Sequence, residues 1–296
     1  MLGDLLRDAA SDLPGETPAL DAQVLLAHVS GRDRSWVLAH PEAHLTAPQQ
    51  QAFQTALQAL QTGTPLPYVL GHWEFFGLDF EVTPDVLIPR PETELLVESA
   101  LRWLHSHPTG RSFPQPVYRF LDVGTGSGCI PITLAVHVPR ASITATDISR
   151  AALDVARRNA ARHGVQERIS FIECDLAPDE ENMLWDETPT GLGHWSSVDV
   201  VAANLPYIPS AILKDLPIYG QEPTLALDGG EDGLDLIRRL LAQLVGKMEA
   251  GCLILLEIEA NQGRSVLALA ETAFPAASVE IRKDLAGFDR LVIIET

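Results

Sequence analysis

From residue 118 to the end of the chain, short apolar segments alternate with helical patterns, and this alternation limits the fold more than any other feature. The predicted strands are Y-R-F-L-D-V-G, S-I-T-A-T-D-I, I-S-F-I-E-C-D, V-D-V-V-A-A-N and C-L-I-L-L-E-I. Strands that alternate with helices form a parallel sheet whose two faces are covered. The sequence therefore predicts an α/β domain.

The end of the chain departs from this alternation. The segment S-V-E-I-R-K-D-L-A-G-F-D-R-L-V-I-I-E contains two strand patterns joined by only a few residues. So short a connection cannot make a right-handed parallel crossover, and the last pair must be antiparallel. A parallel sheet closed by a reversed hairpin predicts a class I S-adenosylmethionine-dependent methyltransferase, a Rossmann-like sheet with an antiparallel terminal strand. In the dinucleotide fold the sixth strand stays parallel.

The first 70 residues look helical, and Thr46 is a predicted N-cap followed by an apolar face and a terminating glycine. Residues 65–90 then mix aromatic and β-branched residues with turn residues, which indicates a hairpin or a linker. We therefore expect a helical domain over residues 1–70, a hairpin or linker over residues 71–90 and the methyltransferase domain over residues 91–296.

The composition narrows the possible partners. Among 296 residues, 40 acidic side chains oppose 21 Lys and Arg, giving a formal net charge of −19. This balance argues against direct nucleic-acid binding, which depends on basic patches. No apolar run approaches the roughly 20 residues that span a bilayer. The N-terminus lacks the pattern of a signal peptide, and no cysteine pair has zinc-ligand spacing. We expect a cytoplasmic protein without a membrane or metal site.

The segment L-D-V-G-T-G-S-G joins the first predicted strand of the sheet to a helix. Gly124, Gly126 and Gly128 allow the backbone to pass close to a ligand, and Thr125 and Ser127 lie between them. In open sheets, ligands bind outside the carboxyl ends of the strands, where this turn falls. The spacing G-x-G-x-G lacks the last glycine of the dinucleotide pattern.

Acidic residues follow the next two strands. Asp147 ends its strand about twenty residues after the glycine turn, where a carboxylate can accept hydrogen bonds from ribose hydroxyls. Asp175 ends the third strand and can meet an adenine amino group, while Leu176 packs against the ring. These residues predict an adenosine-bearing cofactor, either NAD or S-adenosylmethionine. The terminal hairpin and the fourth strand's N-L-P-Y favour S-adenosylmethionine.

The fourth strand is followed by a tetrad of residues, Asn204, Leu205, Pro206 and Tyr207. Asn and Pro are ordinary turn formers, so the tetrad alone is compatible with a simple strand end. It is also compatible with a site that holds a planar amino group, whether a glutamine amide or the N6 amino group of adenine.

Several longer stretches make a resemblance specific. They are P-L-P-Y-V-L-G, E-F-F-G-L-D-F-E-V, V-L-I-P-R-P-E-T-E-L-L-V-E, L-D-V-G-T-G-S-G-C-I, T-D-I-S-R-A-A-L-D-V-A-R-R-N-A, N-L-P-Y-I, E-P-T-L-A-L-D-G-G-E-D-G-L-D-L-I-R-R-L-L, L-E-I-E-A-N-Q-G and D-L-A-G-F-D-R, in family order between residues 65 and 290. The chain resembles the HemK/PrmC family, which methylates the glutamine side chain of peptide chain release factors. That family usually has N-P-P-Y, whereas this chain has Leu205 at the first proline position.

The resemblance implies N5 methylation of the glutamine in the release-factor G-G-Q motif, in support of translation termination. It also implies that the Asn204 side-chain oxygen and the carbonyl of Leu205 accept the two amide hydrogens. Pro206 keeps the preceding residue extended, and Tyr207 packs on the amide. By the same resemblance, Arg90 and Glu92 order a segment beside the cofactor and substrate pocket. The helical segment, which carries no cluster of catalytic groups, is expected to recognise the protein substrate.

Other interpretations remain open at this stage. The tetrad also suits an adenine-N6 methyltransferase acting on RNA or DNA. A cofactor-binding regulatory protein with an inactive site and an NAD-dependent oxidoreductase are further alternatives. The segment I-P-R-P-E-T-E is also compatible with a plain proline-stiffened helix start. Residues 178–197 are predicted to form a long acidic loop with no assigned function.

Overall fold

A computed structural model describes residues 1–107, 117–179 and 198–296. The chain forms two compact units, Met1–Trp73 and Glu74–Thr296. The loop predicted for residues 178–197 lies almost entirely outside the described ranges. No helix in those ranges has both the length and the apolar character needed to cross a membrane.

The first unit is helical. Its helices are α1 (Leu2–Asp12), α2 (Pro18–Ser30), α3 (Arg34–Ala39), α4 (Ala47–Gln61) and α5 (Leu66–Leu70). Thr46 caps α4 as predicted: its hydroxyl accepts from the backbone of Gln49, whose side chain bonds back to the Thr46 backbone. A separate apolar core, which includes Leu25, Leu26 and Phe53, holds these helices together.

The second unit is built on a seven-stranded sheet. A two-stranded hairpin, β1 (His72–Phe75) and β2 (Leu78–Glu81), precedes it. The sheet strands are β3 (Tyr118–Val123), β4 (Ala141–Asp147), β5 (Ile169–Glu173), β6 (Val200–Ala203), β7 (Leu253–Glu257), β8 (Ser278–Lys283) and β9 (Asp289–Glu295). Their order is β5-β4-β3-β6-β7-β9-β8. Strands β3 to β7 pair in parallel, and β9 is antiparallel to both β7 and β8. The antiparallel terminal pair confirms the prediction from the short joint.

Helices cover both faces of this sheet. They are α6 (Glu94–Ser106), α7 (Cys129–His137), α8 (Arg150–Arg162), α10 (Asp235–Leu244) and α11 (Gly263–Ala273), and a short helix, α9 (Ser210–Leu213), follows β6. Successive side chains of a strand point to opposite faces. Accordingly, Phe120 of β3 joins the core beneath α6 and α7, and Leu121 joins the core beneath α10 and α11.

The sheet brings five strand ends to one edge. Strands β4 and β5 lie on one side of β3, and β6 and β7 lie on the other. The chain therefore leaves β3 and β6 in opposite directions, which opens a crevice at their carboxyl ends. The glycine turn, Asp147, Asp175, Asn204 and Glu257 all lie at or just beyond this edge.

Candidate active site

A cavity of about 310 Å³ opens at the carboxyl edge of the sheet. Its walls include most of the residues that the sequence singled out: Gly124, Thr125, Gly126, Ser127, Asp147, Asp175, Leu176, Asn204, Leu205, Pro206 and Arg90. A smaller cavity of about 100 Å³ is lined by Arg90, Asn204, Leu205, Pro206 and Tyr207, among others. Six residues border both cavities: Leu87, Arg90, Asn204, Leu205, Pro206 and Ala226.

The glycine turn leaves little room beside two of its glycines. All three glycines have positive φ, and a Cβ on Gly124 would lie 3.1 Å from Leu205 Cδ2. A Cβ on Gly128 would lie 2.8 Å from Ile132 Cδ1. Next to Gly126 nothing lies within 4 Å. Packing thus restricts Gly124 and Gly128, whereas at Gly126 the left-handed backbone, φ +53°, favours glycine.

Asp147 connects the end of β4 to the glycine turn. Its Oδ2 accepts a hydrogen bond from the Gly126 backbone at 2.9 Å, and its Oδ1 accepts one from Ser149 at 2.8 Å. Burial raises the pKa of this carboxyl, and those backbone donors oppose the shift. A carboxylate has about four acceptor positions, so both oxygens can still accept from ribose hydroxyls.

Leu176 and Asp175 differ in exposure. Leu176 is buried with φ +66°, an uncommon conformation for a side-chain-bearing residue. Its carbonyl accepts a 2.7 Å hydrogen bond from the Thr146 hydroxyl, which stabilises this turn. Asp175 is exposed, and its Oδ2 lies 2.5 Å from Arg239 Nη2. The Asp175 carboxylate, which the sequence predicts to meet the adenine amino group, is therefore already paired with Arg239.

Asp122 lies behind the turn, on β3. It is buried, and neither carboxyl oxygen has a hydrogen-bond partner among the described residues. Burial raises its pKa to about 7, and the nearby Asp147 adds to the shift. A buried carboxyl thus lies close to Thr125 and Asp147 of the predicted cofactor site.

Asn204 presents only one side of its amide to a protein partner. Its Nδ2 donates to Thr93 Oγ1 at 3.0 Å. Within the described part of the chain, no hydrogen bond uses Asn204 Oδ1 or the Leu205 carbonyl. Asn204 and Leu205 line both cavities, and these two oxygens have no hydrogen-bond partner among the described residues, so both can accept from a ligand.

The backbone of Tyr207 is held by a glycine-rich segment and by a glutamine. Gln262 Nε2 donates to the Tyr207 carbonyl at 3.0 Å and to the Gly233 carbonyl at 3.2 Å. A Cβ on Gly233 would lie 2.2 Å from the Tyr207 oxygen, and one on Gly229 would lie 2.7 Å from the Pro206 oxygen. The segment A-L-D-G-G-E-D-G, one of the stretches that carry the resemblance, therefore packs directly on residues 204–207. Burial raises the pKa of the Tyr207 phenol to about 12, so the phenol stays neutral near pH 7.

Arg90 lines both cavities, whereas Glu92 lines neither. Arg90 forms an ion pair with the buried Glu222, whose other oxygen accepts from the Ile88 backbone at 3.0 Å. Glu92 is exposed and borders neither cavity. The helix predicted from Pro91 onward begins with a 3₁₀ turn, Pro91–Thr93, before α6. Within that turn it is Thr93, and not Glu92, that is buried against the site.

Sequence reasoning therefore missed Thr93, Glu222, Glu257 and Gln262. Thr93, Glu257 and Gln262 lie far along the chain from Asn204 and reach the site only because the strands assemble, whereas Glu222 lies in the segment between β6 and α10. All four fall in stretches that carried the resemblance, which was their only signal. In the described ranges, no group of three or more His, Cys, Asp or Glu side chains could hold a metal ion.

The comparisons with known proteins agree with this geometry. Residues 4–71 match the model of the PrmC N-terminal domain, and residues 115–242 match a methyltransferase domain. The release factor glutamine methyltransferase of Moorella thermoacetica is 41% identical over 98% of this chain and 95% of its own length. That of Bordetella pertussis is 40% identical over 97% of each chain. The chain belongs to the release factor glutamine methyltransferase family.

Family membership confirms the prediction of an S-adenosylmethionine-dependent methyltransferase and excludes the NAD-dependent oxidoreductase. Among solved structures, the hMettl16 catalytic domain in complex with MAT2A 3′UTR hairpin 6 covers 84% of this chain and 82% of its own, with a TM-score of 0.52. At 13% identity this likeness shows the shared fold alone. The glycine turn, the acid at the end of β4 and the buried Leu176 line the same cavity.

Proposed function

We propose that this protein transfers a methyl group from S-adenosylmethionine to the N5 amide nitrogen of the glutamine in the G-G-Q motif of peptide chain release factors. This reaction would support translation termination. The observation that carries the proposal is the pair of open acceptors at the cavity wall, Asn204 Oδ1 and the Leu205 carbonyl. A primary amide has two N–H hydrogens, and two such acceptors match them.

An amide nitrogen is a poor nucleophile because its lone pair is delocalised into the carbonyl. Accepting both N–H hydrogens fixes the plane of the amide and increases the electron density on nitrogen. Orientation of this kind supplies several kcal/mol of a barrier, typically up to about 7–11 kcal/mol for well-aligned reactants. Asn204 and Leu205 serve this purpose from a rigid strand end, and Tyr207 packs on the planar amide from the smaller cavity.

The cofactor provides a sulfonium methyl group as the electrophile. The turn Gly124–Gly128 would hold its methionine part, Asp147 its ribose, and Asp175 and Leu176 its adenine. Arg90 shapes the boundary between the two cavities through its pair with Glu222. Glu92 has no place in the proposed site.

The PrmC-type helical unit, which has its own core, is proposed to recognise the folded release factor. A protein that starts near residue 71 should bind cofactor yet methylate the intact release factor poorly. If its turnover equalled that of the full chain, the helical unit would have no such role. We also propose that the enzyme acts in the cytoplasm and does not bind nucleic acid directly, in line with its net charge of −19.

The alternative acceptor is the adenine N6 amino group, which is also planar and has two hydrogens. The acidic balance of the chain favours a protein substrate over RNA or DNA. The test is methyl transfer from labelled S-adenosylmethionine to an intact release factor, to the same factor with its motif glutamine changed to glutamate, and to RNA and DNA. Label confined to the unchanged release factor supports the proposal. Label on RNA or DNA instead would overturn it.

A further inference from the structure

The orientation of the Asn204 amide depends on groups that the tetrad does not contain. An asparagine amide can turn over and exchange its oxygen for its NH₂ group. Only one of the two orientations leaves Oδ1 toward the substrate. The proposed function requires that orientation, and the following inference rests on it.

Thr93 is the first of these groups. Its hydroxyl accepts the Asn204 Nδ2 hydrogen bond at 3.0 Å across 111 residues of sequence, and its side chain is 2% exposed. A threonine hydroxyl has one hydrogen of its own to donate. With its lone pair used by Asn204, that hydrogen is available to a further acceptor.

Glu257 is the second. Ala203 pairs with Leu256 in the parallel sheet, so the next residues, Asn204 and Glu257, are neighbours at the ends of β6 and β7. Glu257 is 2% exposed, and its Oε2 has no hydrogen-bond partner among the described residues. The Thr93 and Asn204 side chains both face this carboxyl with their polar hydrogens.

We propose that Thr93 and Glu257 are positioning residues that hold the Asn204 NH₂ group and thereby direct Oδ1 at the substrate amide. A carboxylate accepts hydrogen bonds and donates none, so the reversed amide would place oxygen against oxygen in a buried site. Thr93 provides an acceptor for NH₂, and Glu257 makes the reversed orientation unfavourable. Neither residue needs to touch the substrate.

Several charged or titratable groups also face Glu257. Arg290 of β9 lowers its pKa, and Glu92, in the turn before α6, raises it. The charge of Glu257 in turn contributes to the raised pKa of the Tyr207 phenol and of the Cys129 thiol. Burial is the largest influence and raises the pKa of Glu257 to about 7. The ionised form is the stronger acceptor, so the turnover rate should rise with pH through this range.

The first test is single-turnover methylation of the release-factor glutamine by the full-length enzyme. Thr93→Val removes the hydroxyl at nearly constant shape and should slow the reaction at least tenfold, with cofactor Kd within about threefold. Thr93→Ser should restore most of the rate. Thr133→Val is the matched control, because Thr133 is buried on α7 and its hydroxyl has no partner among the described residues.

Glu257→Gln should remove the rise of the rate near pH 7 and lower the rate above it. If Thr93→Val and Glu257→Gln both turn over like wild type with an unchanged pH profile, the inference is wrong.

A second measurement does not require turnover. The chain has only four asparagines, at positions 159, 182, 204 and 261, so selective ¹⁵N-asparagine labelling yields four side-chain NH₂ pairs. Asn204→Ala assigns the pair of Asn204. That pair should be protected from exchange in wild type and in Thr133→Val, and should lose protection in Thr93→Val. An unchanged Asn204 pair in Thr93→Val would overturn the inference. A wild type with a protected pair and no release-factor methylation would contradict the proposed function alone.

Discussion

The ends of β4 and β6 each carry a polar side chain of the proposed site, and these two side chains are held in place by different kinds of contact. Asp147, at the end of β4, is fixed by two backbone N–H groups: that of Ser149, in the turn after the strand, and that of Gly126, 21 residues earlier in the glycine turn. Asn204, after β6, is held by the Thr93 side chain, 111 residues away, and lies beside Glu257 of β7. The proposed cofactor end is thus a local motif of one strand–helix–strand unit held by backbone groups, whereas the proposed substrate end is an assembly of side chains from more distant segments.

This difference has a consequence for tolerance to change. A local motif keeps its shape whenever its few residues are present. An assembly depends on the packing of the whole sheet, because each contributing residue arrives on a different strand or helix. Substitutions at the substrate end should therefore affect the rate most, and those at the cofactor end should affect binding most.

The largest expected effect is that of Asn204→Ala. It removes one of the two proposed acceptors for the substrate amide, and loss of one such transition-state contact typically costs about 10²–10³ in rate. Cofactor affinity should change much less, because the cofactor end is built elsewhere. Single-turnover methylation combined with calorimetry measures both. Near-normal turnover would show that the tetrad is only a strand end.

Gly233→Ala tests whether distant backbone supports the tetrad. A Cβ would meet the Tyr207 carbonyl oxygen at 2.2 Å, and φ is +79°. Left-handed strain and overpacking together should destabilise the fold by at least ~2 kcal/mol and displace Tyr207. Gly77→Ala is the matched control, since it has φ +73° and nothing within 4 Å. Urea unfolding and turnover of both variants separate the clash from the strain; equal effects would contradict the assigned contact.

Asp147→Ala tests the cofactor end. It removes the acceptor for the Gly126 and Ser149 backbone hydrogens as well as the proposed ribose acceptor. Cofactor binding should weaken by about 1–3 kcal/mol, the usual cost of unpaired polar groups. Turnover at saturating cofactor should fall far less than in Asn204→Ala. Unchanged affinity by calorimetry would remove Asp147 from the site.

The same comparison explains what the sequence could predict. The glycine turn, Asp147 and the antiparallel terminal pair follow from short-range spacing, so pattern and turn chemistry are sufficient. Thr93 looks like an ordinary residue in a proline-stiffened helix start, and the exposed acid beside it, Glu92, draws attention instead. A tightened first turn, 3₁₀ and not α-helical, determines which of the two faces the site. Glu257 is one acid in an apolar strand, and only pairing between β6 and β7 shows its neighbour.

Glu257 also predicts how stability depends on pH. Its pKa is raised from 4.5 to about 7 by burial, so the folded state binds this proton more tightly than the unfolded state. Its favourable contribution is complete below about pH 4.5 and is lost as pH rises through about 7. The slope is at most ~1.4 kcal/mol per pH unit for one proton. Glu257→Gln lacks this loss, so its stability relative to wild type should be greater at pH 8 than at pH 5. Equal differences in urea unfolding at both pH values would refute the shift.

The smallest expected effect is that of Leu205→Pro, which restores the usual family sequence N-P-P-Y. The proposed acceptor at this position is a backbone carbonyl, which proline also has, and Pro206 already keeps the preceding residue extended. Leu205 is buried and its Cδ2 lies near the position of a Gly124 Cβ, so proline would lose apolar contacts and gain a fixed φ. These changes oppose each other, and turnover should change by less than about tenfold, or ~1.4 kcal/mol. Leu205→Ala separates the loss of apolar contacts from the effect of a fixed φ, because it loses the contacts without fixing φ. If Leu205→Pro abolished turnover while Leu205→Ala did not, the backbone of this chain would differ from the usual family geometry at the acceptor itself.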